Sequence, residues 1–240
     1  MNRTTCASSV KMKSLQMLKR LAALLPVSAQ HELRRLYFHQ QIRRRRFMTD
    51  EKEYAFLDSF LRPGDWALDI GANVGHYSMR MSELVGAAGR VIAFEPVPAT
   101  FTLLAANARL FAHANVSLLN VAASDRTASV GMEIPRFPDG LTNYYQARLT
   151  GDPARLTILS VPVDALALPA TVKLVKIDVE GHELPVLQGM RRLLERDHPV
   201  LIVETGAQST VDLLTGQGYV TERLPGSSNL LCRQRGSRKD

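Results

Sequence analysis

Asp69-Ile-Gly-Ala-Asn-Val-Gly75 lies between a short apolar run, Trp66-Ala-Leu-Asp-Ile70, and a helical pattern through Tyr77, Met81 and Leu84. The run has the length of a strand and is apolar on successive positions, which predicts a strand buried on both faces of a parallel sheet. A glycine turn in that setting lets backbone pass close to a bound small molecule, because Gly71 and Gly75 carry no Cβ.

Beyond the turn, strand and helix patterns alternate, predicting a doubly wound α/β sheet of three-layer αβα form. Further strands are expected at residues 90–94, 116–121, 171–177 and 199–203, with a closing pair near 219–224 and 229–233. The intervening helices run through Phe101, Leu104 and Ala108, across 183–195 and across 211–214. Residues 127–165 break the rhythm: β segments at 129–134 and 156–163 flank a Pro/Gly/Tyr-rich excursion, expected as an inserted hairpin or flap. Its Phe137, Tyr144 and Tyr145 are expected to offer ring faces to an acceptor. Ahead of the first strand, Thr49 or Asp50 is expected to cap a helix carrying Tyr54, Leu57, Phe60 and Leu61 and ending at Pro63-Gly64. The organisation is thus an arm (1–46), one α/β domain (47–233) and a short basic tail (234–240).

The net charge of +7 is unevenly placed. Residues 1–46 hold eleven Lys or Arg against the single acid Glu32, leaving 19 basic and 22 acidic residues for the rest. The domain therefore has no nucleic-acid footprint, and no nucleic-acid partner is expected. In the arm, Leu15, Leu18, Leu21, Leu25, Leu33 and Leu36 recur at helical spacing before Arg43-Arg-Arg-Arg46. It is read as an accessory helix packed on the domain, as a peripheral contact for an anionic membrane surface, or as a nucleic-acid contact. No apolar stretch approaches the length of a bilayer span, and the run after Lys19-Arg20 is short for a secretion signal and ends at Pro26. Cys6 and Cys232 lie apart, without metal-ligand spacing, and are expected as free thiols. The expected location is cytoplasmic, with the inner membrane surface as the arm's alternative site.

A dinucleotide fingerprint would place a glycine where Asp69 stands, and an acid there repels a pyrophosphate. A carboxylate at the strand tip suits instead the ammonium group of S-adenosyl-L-methionine. Glu95, ending the second strand, is positioned for adenosine ribose hydroxyls, and Ser124-Asp125, after the third, for the adenine amino group. The fourth strand delivers Asp178, Glu180 and His182. His182 is the natural general base, while Asp178 orients cofactor or acceptor. Glu204, closing the fifth strand, adds a carboxylate to hold the acceptor. Asp178, Glu180 and Glu204 are oxygen ligands in type, but no metal is expected. An NAD-dependent oxidoreductase and a non-catalytic module using the basic arm stand as alternatives.

Together Asp69-Ile-Gly-Ala-Asn-Val-Gly75, Ala93-Phe-Glu-Pro96, Ala123-Ser-Asp125, Lys176-Ile-Asp-Val-Glu-Gly181 with Glu183, and Val203-Glu204 resemble the FkbM family of S-adenosylmethionine-dependent methyltransferases. The resemblance spans roughly residues 50 to 222. It implies a Rossmann-like sheet of seven strands, mostly parallel, and methylation of a hydroxyl oxygen on a sugar, glycolipid or natural-product acceptor. It further implies cofactor binding by Asp69, Gly71, Ala72, Asn73, Gly75, Glu95, Ser124, Asp125 and Asp178, with Asp178 and Glu180 at the reaction edge. The arm and the tail lie outside it. The chain has neither an Asn/Asp-Pro-Pro-aromatic motif after the fourth strand nor a cysteine near the site, which argues against adenine or glutamine N-methylation and pyrimidine C5-methylation.

Overall fold

The computed structural model describes residues 24–137, 142–150 and 156–236. The arm's Leu15, Leu18 and Leu21, Cys6, the tail residues 237–240 and parts of the excursion (138–141, 151–155) lie outside the described residues. So does the side chain of Tyr145.

Seven strands form the main sheet: β1 (Trp66–Ile70), β2 (Arg90–Phe94), β3 (Val116–Leu119), β8 (Val172–Ile177), β9 (Val200–Glu204), β10 (Tyr219–Arg223) and β11 (Asn229–Gln234). Their order is β10-β11-β9-β8-β1-β2-β3, with β11 antiparallel to both neighbours and the other pairings parallel. The fold is α/β and Rossmann-like, as the alternating patterns predict.

The strands read as unbroken apolar runs because each face of the sheet has its own core. Leu68, Ile70, Phe94, Val175 and Ile177 point to one face, packing against Val186 and Leu187 of α4 (Glu183–Gln188), Leu193 and Leu194 of α5 (Arg191–Asp197) and Leu214 of α6 (Gln208–Gly216). Ala67, Val91, Leu174 and Ile202 point to the other, against Tyr77, Met81 and Val85 of α2 (His76–Val85). On that side Leu104 of α3 (Pro98–Ala108) meets Ala72 and Ala93. At about 25 cal/mol per Å² of apolar surface, two such cores supply most of the fold's stabilisation.

The helix expected across 183–195 is two helices. Gly189 lies so close to the neighbouring segment that a Cβ there would stand 1.8 Å from the Ser124 carbonyl oxygen. The new start at Arg191 is capped by Asp164, which accepts from the Arg192 and Leu193 amides at 2.9 and 3.0 Å. The helix expected after Thr49 is a 3₁₀ segment, Lys52–Ser59, flanked on its N-terminal side by Glu51. It buries Leu57 in the second core and carries Glu53 inward.

The excursion is more than a hairpin. β4 (Ala122–Ala123), β5 (Ala128–Glu133), β6 (Arg148–Thr150) and β7 (Leu156–Val161) form a second sheet in the order β4-β7-β5-β6. β4 and β6 are too short to display a period. Met132, Ile158 and Ala122 close this sheet over Val97, with Tyr144, Ala147 and Leu149 beside them.

The arm's helix, α1 (Val27–Arg43), packs across α3 through Phe38, which clusters with Phe47, Val74 and Leu103. The leucine spacing marks its other side: Leu33 and Leu36 are exposed. Arg34 donates to the Thr142 carbonyl at 3.2 Å and lies over the Tyr144 ring, tying arm to excursion. Among the described residues no helix is long and apolar enough to cross a membrane, and Cys232 is a buried free thiol.

Candidate active site

The loop after β1 is shaped by three residues in the left-handed region, Gly71 (φ +84), Asn73 (φ +50) and Gly75 (φ +99). Gly71 and Ala72 donate their amides to the Phe94 carbonyl at 3.0 and 2.9 Å. The bend drives Gly71 onto β8's exit: a Cβ there would stand 1.8 Å from the Asp178 carbonyl oxygen. Glu95 anchors the loop's far side, accepting from the Asn73 amide through Oε2 and the Val97 amide through Oε1, both at 2.9 Å. Burial pushes its carboxyl up to about 7, against the pull of those two amides.

Asp69 is buried under the same loop and accepts from the Ser78 hydroxyl at 2.5 Å. Burial raises its pKa to about 6, opposed by the Ser78 hydrogen bond and by the charge of Lys176, its register partner on β8. Lys176 is itself buried, 3.5 Å from the Asp178 carboxylate, 3.1 Å from Asn229 Oδ1 and over the Tyr77 ring. The Asn229 amide and the Tyr77 hydroxyl both donate to Glu51, at 3.0 and 2.8 Å. This network escaped the sequence reading. A lysine inside the apolar run of β8 was a visible signal, whereas Glu51 and Asn229 are brought in from 178 residues apart.

The raised Asp69 has a stability consequence. Its neutral form is favoured in the folded chain, so its contribution is complete below about pH 4 and is lost as pH rises through about 6. That amounts to about 3 kcal/mol. Asp69→Asn should remove this slope in urea denaturation of the ligand-free protein between about pH 4 and 7. Identical slopes for variant and wild type would show that Asp69 does not titrate there.

Three cavities meet at this sheet edge. The first, of about 270 Å³, is lined by Gly71, Asn73, Glu95, Val97, Ala123 and Tyr144, with Asp178, Glu180, His182 and Glu204. The second, of about 320 Å³, holds Asp69, Ala72, Tyr77 and Lys176 and shares Glu51, Gly71, Asn73 and Asp178 with the first. The third opens on the other side of Asp178, Glu180 and Glu204, which it shares with the first. Among the described residues no group of three or more His, Cys, Asp or Glu side chains is placed to hold a metal ion.

Gly75, Ser124 and Asp125 line none of these three cavities. Gly75 caps the start of α2, where a Cβ would stand 2.7 Å from Leu104 Cδ1, so its work is helix packing. The Ser124 hydroxyl meets His182 Nε2 at 2.9 Å, and Asp125 faces Arg126 at 3.9 Å. His182 lies on the first cavity's wall and not on the third's. Burial lowers its pKa. The groups common to both spaces are the three carboxylates. Glu180, held at φ +51, has its pKa raised by burial and then by Asp178 and Glu204. Glu204 is raised by burial and then by Asp178. Of the excursion's aromatics, Tyr144 stands on the first cavity and Phe137 is exposed.

The profile of the methyltransferase FkbM domain family matches residues 69–220. The hexuronic acid methyltransferase AglP of Haloferax volcanii is 30% identical over 137 residues, which cover 56% of this chain and 53% of that protein. The chain thus spans about half the length of that curated relative. A methyltransferase FkbM from Methylobacillus flagellatus KT has a similar structure, with a TM-score of 0.51 at 17% identity, over 83% of this chain and 59% of its own. At that identity the likeness concerns the fold: the same Rossmann-like α/β architecture.

Proposed function

We propose that this chain, which belongs to the FkbM methyltransferase family, transfers a methyl group from S-adenosyl-L-methionine to a hydroxyl oxygen of a sugar-containing acceptor. One observation carries the cofactor assignment. The Gly71 loop lies against Asp178, so two contiguous cavities meet beneath it, with a buried acid at each end. Glu95 stands where ribose hydroxyls would donate. Asp69 and Glu51 stand where an ammonium group would, with Lys176 near enough for the accompanying carboxylate. The apolar stretch of Phe94, Val97, Ala123 and Tyr144 suits an adenine ring. The residues present therefore fit the cofactor.

Bound S-adenosyl-L-methionine supplies a methyl group already activated on a sulfonium. The chain's task is to align the acceptor oxygen and to remove one proton. Alignment alone accounts for about 7 to 11 kcal/mol of such a barrier in favourable cases. Proton removal falls to the carboxylates shared by the first and third cavities. We assign it to Glu180, whose raised pKa brings proton acceptance toward neutral pH. His182, on the cofactor side and in contact with Ser124, orients that wall. The sugar class draws support from the name of the Haloferax volcanii relative.

Calorimetric titration with S-adenosylhomocysteine and, separately, NAD tests the cofactor. Binding of the first and not the second is expected, and preference for NAD would sink the proposal. Transfer of labelled methyl from the cofactor to glycan and glycolipid fractions, with linkage analysis of the product, tests the acceptor atom. Label recovered on nitrogen or carbon would overturn the O-methyl assignment.

A further inference from the structure

The third cavity, about 750 Å³, carries an unbalanced charge. Asp178, Glu180, Glu183 and Glu204 line it, and among its described lining residues the single cation is Arg223. That guanidinium is committed to backbone: Nη2 donates to the Thr205 carbonyl at 2.6 Å, and Nη1 to those of Ser227 and Ser228. It pins the segment between β10 and β11 with most of its donors. Lys176 neutralises Asp178 from behind and does not reach this wall. Thr210, fully buried on the same wall, has a hydroxyl with no hydrogen-bond partner among the described residues. A buried hydroxyl in that state calls for a partner, which a ligand's polar group on that wall would supply.

We infer that this cavity receives a sugar that carries a protonated amine beside the hydroxyl to be methylated, and that it rejects uronates. The inference rests on the methyl-transfer proposal above. A carboxylate entering here would join like charges in a partly desolvated mouth, where Coulomb repulsion is strong. An ammonium group held by Glu204 would relieve the repulsion from Asp178 that adds to the rise in that carboxylate's proton affinity, leaving Glu180 to the hydroxyl. The amine thereby fixes which hydroxyl faces the first cavity, and Thr210 supplies a neutral contact to the ring. The charge is opposite to that of the hexuronic acid in the relative's name.

Calorimetry on the full chain loaded with S-adenosylhomocysteine, at about pH 7, tests this with the methyl glycosides of glucosamine, glucose and glucuronic acid. The glucosaminide is expected to bind about tenfold more tightly than the glucoside, and the glucuronide at least about tenfold more weakly. Added salt should narrow the first gap. Glu204→Gln should cut the amine's advantage to about threefold or less. Thr210→Val should weaken glucosaminide and glucoside alike, by about fivefold, and leave their ratio unchanged. Equal binding of the three, preference for the glucuronide, or binding of none overturns the inference. If S-adenosylhomocysteine itself fails to load, the cofactor proposal falls and the inference with it; loading followed by the reverse sugar preference overturns the inference alone.

Discussion

Gly71→Ala is expected to bind no measurable S-adenosylhomocysteine and to unfold about 10 °C below the wild type. The added methyl would stand 1.8 Å from the Asp178 carbonyl oxygen and 2.8 Å from its carbon. Both are backbone atoms, so no side chain can swing aside. The φ of +84 adds a left-handed penalty of about 1 to 2 kcal/mol for any residue with a Cβ. Overpacking of a tight contact adds about 1 to 3 kcal/mol more. Relief requires the loop to lift away from β8, straining the Asp178 amide's 2.9 Å bond to the Ile70 carbonyl and moving Asn73 away from Glu95. Binding is lost because the loop is the partition between the two cavities. Gly181→Ala is the control: its φ is +95, yet a Cβ there meets nothing within 4 Å. It should lose only the conformational part, about 1 to 2 kcal/mol. Equal losses in the two variants, or cofactor affinity within about tenfold of wild type in Gly71→Ala, would show that close packing at Gly71 is not what shapes the site.

That contact also shows what a sequence can and cannot disclose here. Asp69, Gly71 and Glu95 were legible because each sits at the tip of a strand that announces itself as an unbroken apolar run, and strand tips share an edge in any parallel sheet. The main sheet was legible for the same reason, two cores making both faces of each strand apolar. The rest depended on meetings between distant segments. Gly189 breaks a helix only because Ser124 lies against it. The arm's leucines display a helical period, yet Phe38 and Ile42 make the contact and Leu33 and Leu36 face outward. Periodicity identifies a helix, but its buried side depends on the partner. Asp125 follows a strand as an adenine-binding acid would, but it ends beside Arg126, and the cavity wall is made by Ala122 and Ala123. Glu51 and Asn229 carry no local pattern at all; Asn229 bridges Lys176 to Glu51.

Glu180→Gln is expected to lower kcat by about 100- to 10,000-fold, the usual span of general base catalysis, while S-adenosylhomocysteine affinity changes by less than about threefold. The substitution keeps size and shape and removes only the proton-accepting charge. Two features set Glu180 apart from Asp178 and Glu204. Asp178 is tied to Lys176 at 3.5 Å, which turns its carboxylate toward the buried network behind the strand. Glu204, raised first by burial, is also pulled in opposite directions by Asp178 and the Ser228 hydroxyl, which ties its charge to its neighbours. Glu180 has neither tether, stays exposed to the cavities, and is held at φ +51, a conformation that a residue with a side chain adopts only when its surroundings impose it. Its raised pKa carries a sign: the working form is the carboxylate, so kcat should climb as pH rises through that pKa. Glu180→Gln should abolish this acidic limb. A variant that was merely misfolded would lower the profile uniformly and lose S-adenosylhomocysteine with it. If His182→Ala removes the acidic limb while Glu180→Gln keeps it, the proton passes instead through the imidazole beside Ser124.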